Sequence, residues 1–397
     1  MLASSADPHL LAHPLLDPGG LAIPPAAAAV VAMLVVATVA RLWPESAVKP
    51  SGELPASYSW LGTLSLGQVA TRVLAVGLLV LAIAAGRAGS QDQLENIASA
   101  LVVGAGWPLL LLGSAVLGPV WRWADPWDAI ARPLAPSGSE AGSVAGAVIP
   151  AAAWAWYLSA YREALDPPNV GLALAVYSIV TVGGCLALGR IWWLSRYEVF
   201  GMLFGWVGMR GRLVRWRPPA GATLVIGVLA GGLAFGAVRM STLWGGLNAA
   251  RHALLWATVG VAVSAGLYAA VLWLLDRWSD RLEVPGSVAA AVVPAVAGLA
   301  VALAMARNRL FTSVQLLPAL ALDPFGARGS PLARGYPFVA EPLGDTGLLV
   351  AQVAVLLMAH LAGAIVLARR APTERRGPGM AALCAVVAAG MVSLTAT

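Results

Sequence analysis

Few residues in this chain could do chemistry, and their scarcity narrows what that chemistry is. There are only four histidines and two cysteines in 397 residues. His9 and His13 stand four apart, flanked by Asp7 and Asp17. On a helix that spacing turns both imidazoles one way, as two ligands of one metal require. Pro8 and Pro14 bracket the pair and limit any helix there to about one turn, so the segment reads first as a mobile polar tail. His360 interrupts the apolar run AVLLMAHLAGAIV. An ionisable group inside such a run is a functional candidate because burying it without a partner is costly. A neutral imidazole there either hydrogen-bonds across helices or ligates a metal. If the tail folds back, His13 meets His252 and Asp323, a His/carboxylate set suited to activating water. Asp125 and Asp128 follow a tryptophan-rich stretch and flank Pro126. They read as acids in the first turn of a short helix, with Arg122 and Arg132 near enough to pair.

Other chemistries have no sequence support. There is no Gly-x-Ser-x-Gly, P-loop, His-Glu-x-x-His or Cys-x-x-Cys, so nucleophile-elbow, nucleotide and zincin sites are not expected. Four histidines are too few for several haems. Cys185 and Cys384 both fall in apolar runs and do not read as a disulfide. The net charge is +6, but the basic residues alternate with apolar runs, which is no pattern for nucleic acid.

The elements that must position these residues follow from composition. The chain is 59% apolar and 11% charged, with a mean hydropathy of +0.79, against roughly 25% charged in ordinary globular domains. This predicts an all-α polytopic membrane bundle, one transmembrane domain over 1–397 whose partner is the lipid bilayer. Apolar runs at about 22–40, 66–86, 97–118, 144–161, 170–189, 221–239, 253–275, 287–306, 347–368 and 380–396 give ten spans. The 144–161 run ends polar, and the last is short for a crossing.

Between spans five and six, residues 190–220 hold six arginines against Glu198. Val199, Phe200, Leu203, Phe204 and Val207 make a stripe at helical period. The segment reads as an interfacial helix on the cytoplasmic side. With that loop inside and the rest alternating, the inside loops carry twice as many Lys and Arg as the outside ones. Both termini are then extracytoplasmic, and residues 1–21, which lack Lys and Arg, do not read as a secretory signal. Two outer connections look re-entrant or like helix extensions: 310–322 within the outer 307–346 segment, and 241–251, which holds Gly245 and Gly246. The echo of Asp125-Pro126-Trp127 in Asp323-Pro324-Phe325, five spans later, is the spacing an inverted repeat would give, although Asp-Pro is also a common turn starter.

Several of these pieces resemble the fenitrothion hydrolase family of polytopic bacterial membrane proteins. They are His13 with Leu21-Ala-Ile-Pro24, Asp125-Pro-Trp127, Arg196-Tyr-Glu-Val-Phe200 leading to Gly211-Arg-Leu213, Ala321-Leu-Asp-Pro-Phe-Gly326, and Gln352-Val353 through His360-Leu-Ala362. The pattern departs at Pro14, where the family has Gly, and at Asp128, where it has Arg. The resemblance implies a bacterial inner-membrane hydrolase of organophosphate triesters, or one subunit of a heteromeric enzyme. It points to His13, His360 and Asp323 as catalytic residues. With His252 they would hold a divalent metal, zinc or copper, while Arg239 or Arg251 would stabilise phosphoryl charge. The substrate would be an apolar small molecule that partitions into the bilayer. The competing readings are a small-molecule transporter or channel, which ten Gly-rich spans suit but a lack of intramembrane acids does not, and an accessory subunit.

Overall fold

The computed structural model of the chain describes residues 66–139, 142–241, 244–248 and 251–394. The tail with His9 and His13, and the first apolar run, lie outside these residues.

Among the described residues the chain is helical and has no strand, only an isolated bridge between Ser143 and Ala220. The principal helices are α1 (Leu66–Ala88), α2 (Ile97–Leu117, with a π turn at Ala100–Gly104), α3 (Pro126–Ala131), α4 (Val148–Ser159), α5 (Pro167–Leu188), α6 (Arg190–Arg196), α7 (Val199–Val207), α8 (Ala222–Met240), α9 (Ala253–Arg281), α10 (Ser287–Met305), α11 (Arg309–Leu322), α12 (Gly344–Arg370) and α13 (Gly377–Leu394). Seven stretches are long and apolar enough to cross a membrane: α1, α2, α5, α8, α9, α10 with α11, and α12. One expected span is shorter than expected: the 144–161 run forms the twelve-residue α4. The described part of the 380–396 run lies in the eighteen-residue α13, whose apolar stretch is too short to count among the seven.

The order of burial follows from side-chain size. α10 is made almost wholly of Ala, Val, Leu and Gly, and nearly every one of its side chains is buried. A helix apolar on all sides belongs in the middle of a bundle. Small residues let its neighbours close in: a Cβ at Gly298 would meet the Ala359 methyl, and one at Gly363 would meet the Ala291 carbonyl. α1, α5 and α9 lie outside and expose Val, Leu, Ile and Trp along their lengths, as helices facing acyl chains do.

Contacts between loops sort the connections into two ends. Arg72, early in α1, pairs with Asp128, and Asp128 pairs with Arg190 at the start of α6. Val144 N–H donates to Ala220 O, and Arg370 donates to the carbonyls of Leu213, Trp216 and Pro285. The connections at 118–132, 190–220, 282–286 and 371–376 therefore share one arginine-rich end. At the other end of α1, fifteen residues or about 22 Å away, Arg87 donates to Pro168 O and Ser90 N–H to Phe325 O. Arg239 donates to Ser159 O at that same end. The two Asp-Pro turns thus lie at opposite ends.

One expectation is corrected. The stripe in 199–207 does not lie along a surface. α7 is nine residues long and buries Val199, Met202, Leu203, Phe204, Trp206 and Val207 in the main core. Its second face, Met202 and Trp206, is apolar too, so it is a plug inside the bundle rather than an amphipathic float. Of the two readings of 310–322, the helix extension is the one found, as α11. It is set off from α10 by Arg307 and Asn308, both in the left-handed region at φ +54° and +56°. Its Leu316 and Leu320 pack on Ala85, Ile97 and Ala100.

Candidate functional site

The site forms where a short helix start meets three spans. Pro126 presets the first turn of α3, and the Asp125 carboxylate caps it, accepting the N–H groups of Trp127 and Asp128 at 2.9 Å each. Capping delivers Asp128, one turn in, to a cluster of guanidiniums. Asp128 is fully buried and bonds Arg72 at 2.6 Å, Arg132 at 3.1 Å, and Arg190. Glu198, also fully buried, caps α7 by accepting from Phe200 N–H at 3.1 Å and from Gly201 N–H. It takes a third bond from the Tyr177 hydroxyl at 2.9 Å.

Three guanidiniums and two carboxylates are thereby partnered. Asp125 is the odd member. Burial, then the charges of Glu198 and Asp128, push its carboxyl well above the ordinary value. Its second oxygen, Oδ2, is buried without a hydrogen-bond partner. A carboxyl in that setting holds its proton more tightly than an ordinary one.

Against this cluster lie two cavities walled by aromatic rings. One, of about 410 Å³, is lined by Trp107, Trp121, Trp127, Trp154, Phe200 and Phe204, and also by Ala124 and Pro126 on either side of Asp125. The second, of about 660 Å³, shares Trp154 and Phe200 with the first and adds Tyr157, Tyr177, Trp193 and Tyr197. The rings pack edge-to-face, Trp107 on Trp154 at 5.2 Å and Trp127 on Tyr177 at 4.8 Å. Leu109 borders the first cavity, while Ile149, Leu172 and Val176 border the second; all are exposed side chains of bundle helices. Both mouths therefore open on the apolar flank of the bundle, and an apolar guest would reach the rings from that side.

The residues expected from the sequence are placed elsewhere. His13 lies outside the described residues. His360 is buried in α12 with Nδ1 2.6 Å from Leu356 O, one turn back, while its Nε2 has no partner. Asp323 uses both oxygens on its own turn, accepting Ala327 N–H at 3.0 Å and Arg328 N–H at 2.8 Å, with Arg334 3.8 Å away. His252 and Arg251 are exposed ahead of α9, and Arg239 holds the end of α4. Among the described residues no three His, Cys, Asp or Glu side chains come together to hold a metal. His252, His360 and Asp323 therefore do not gather by themselves, and the fourth expected ligand, His13, lies outside the described residues.

In the sequence, Asp125 and Asp128 read only as acids in the first turn of a short helix with Arg122 and Arg132 near enough to pair, and the structure does pair Arg132 with Asp128. Sequence reasoning missed Arg72, Arg190, Tyr177 and Glu198 as their company. A signal did exist for Arg72, an ionisable residue within an apolar run, which is the criterion that singled out His360. Glu198, the lone acid in an arginine block, was read only as a charge and not as a helix cap. No protein family, curated protein or solved structure matches this chain.

Proposed function

We propose that the protein takes an apolar small molecule from the bilayer into the aromatic cavities and hydrolyses it there, an organophosphate triester being the substrate class that the sequence resemblance supplies. It acts alone or as one subunit of a heteromeric enzyme in a bacterial inner membrane. The observation that carries the reading is the adjacency of an aromatic cavity, open toward the lipid-facing flank, to a buried carboxyl, Asp125, whose Oδ2 has no hydrogen-bond partner. Hydrolysis of an aryl triester adds water to phosphorus and breaks the bond to the aryl oxygen. Asp125 would give its proton to the departing phenolate and recover one from the attacking water. In this reading the arginine-rich end faces the cytoplasm and ten segments cross the membrane.

The test is release of nitrophenol from an aryl phosphotriester by protein in liposomes, with and without chelator. Activity that falls at least tenfold in both Asp125→Asn and Phe200→Ala supports the reading. Activity unchanged in both removes the cavity from the reaction, and activity abolished by chelator returns the chemistry to a metal. Transport is the second reading, favoured by the break at Arg307–Asn308. Discontinuous helices are typical of transporter sites, and the buried oxygens of Asn308 and Gln352 nearby have no partner.

A further inference from the structure

A separate cavity of about 630 Å³ opens at the arginine-rich end, between the starts of α8 and α10 and the last turns of α9 and α12. Its walls carry both signs of charge: Arg217, Arg277 and Arg370 with Asp276 and Asp280. Arg370 is committed to backbone, donating to the carbonyls of Leu213, Val214, Trp216 and Pro285. Arg217 and Arg277 stand exposed at the rim, the latter 5.8 Å above the Trp273 ring. Positive potential also comes from the backbone. α8 and α10 both begin at the cavity behind glycines in the left-handed region, Gly221 at φ +91° and Gly286 at φ +67°, and neither has a side-chain cap. The first-turn N–H groups of Thr223 and Leu224, both lining residues, have no intrahelical acceptor. Such helix ends favour phosphate.

A phosphate alone leaves the acidic side unexplained. Asp276 accepts the Thr223 hydroxyl at 2.9 Å through Oδ2, but its Oδ1 is buried with no partner. Asp280 stands exposed one turn further along α9. The cavity thus asks for an anion and, within a few bonds of it, an N–H-bearing cation. Beside it, Trp273, Leu274 and Trp278 of α9 are exposed along the bundle's apolar flank, where acyl chains would lie.

We propose that this cavity binds the headgroup of a zwitterionic phospholipid bearing a primary amine. Its phosphate is held by Arg217, Arg277 and the first turn of α8, and its ammonium donates to Asp276 Oδ1. A trimethylammonium headgroup has no N–H to give Asp276, and a glycerol headgroup has no cation. The site therefore discriminates among phospholipids of equal chain length.

The test is native mass spectrometry of the full chain in detergent, titrated with phosphatidylethanolamine, phosphatidylcholine, phosphatidylglycerol and soluble phosphoethanolamine. Phosphatidylethanolamine is expected to be retained about tenfold or more over the other two lipids, the scale of one charge-assisted hydrogen bond. Asp276→Asn should erase that preference, and Arg277→Gln, at an exposed position, should weaken retention of all three lipids. Equal retention of the three by the wild-type protein overturns the proposal, as does a preference that survives Asp276→Asn with Arg277→Gln also without effect. If Asp276→Asn fails to accumulate, Arg277→Gln decides alone. Retention of phosphoethanolamine as tight as the lipid assigns the cavity to a soluble zwitterion and overturns the lipid reading. Phosphotriester activity is not part of this measurement, so the two proposals stand or fall separately.

Discussion

Asp128 holds three guanidiniums on two fully buried oxygens, and the consequences are set by which partner is removed. Deleting the carboxylate strands buried cations, a change of about 3–5 kcal/mol in comparable buried pairs. Asp128→Asn is therefore expected to lower the melting temperature in detergent sharply. Arg132→Ala, whose side chain is 23% exposed, should cost under about 1 kcal/mol. Equal shifts for the two would mean that Asp128 is not the hub. Asp125 behaves oppositely. Its folded-state carboxyl titrates well above the ordinary 3.8, first because it is buried and then because Glu198 and Asp128 repel its charge. The unfolded chain releases this proton near pH 4 while the folded chain keeps it, so the group's contribution to stability is full below pH 4 and is lost as pH rises toward the folded value. Asp125→Asn keeps the capping oxygen and removes the titration. Wild-type stability should thus fall relative to the variant from about pH 4 upward, and parallel curves over that range would refute the assignment.

Among the elements, α8 and α9 approach each other closely through Gly227, Gly231 and Ser264. A Cβ at Gly231 would lie 2.4 Å from Ser264 O, and one at Gly227 would lie 2.5 Å from the Ala269 Cα. The Ser264 hydroxyl donates to Gly231 O at 2.8 Å, so backbone contact and hydrogen bond act together, as at small-residue crossings in bilayers. Gly231→Ala should destabilise by roughly 1–3 kcal/mol through overpacking. Gly266→Ala on α9, where nothing lies within 4 Å, should be neutral, and thermal melts of both test this. α7 shows how far periodicity reaches. The Phe200, Leu203, Phe204 stripe was legible, but a nine-residue helix apolar on its second face as well has two possible fates, at the lipid surface or in the core. The choice falls to Trp107, Trp121 and Trp154, which supply the rings that Phe200 and Phe204 pack against.

On the scale of the whole molecule, basic residues divide the bundle into two ends. In the proposed orientation, Arg212→Cys and Arg162→Cys, both at exposed positions, should label from opposite faces of intact cells, the first only after permeabilisation. Labelling of both from one face would break the alternation. The amino-acid sequence by itself determined the helical class, the positions of the long apolar segments and which loops share an end. Run length and arginine placement are properties of one dimension, and a low-dielectric layer acts on them directly. Only the tertiary structure decided that Arg72, Asp128 and Arg190 form one cluster and that His360, His252 and Asp323 do not. These residues lie tens to hundreds of positions apart, and their meeting depends on which helices are neighbours. That choice is made by the packing of small side chains around α10, which leaves no periodic trace in the chain.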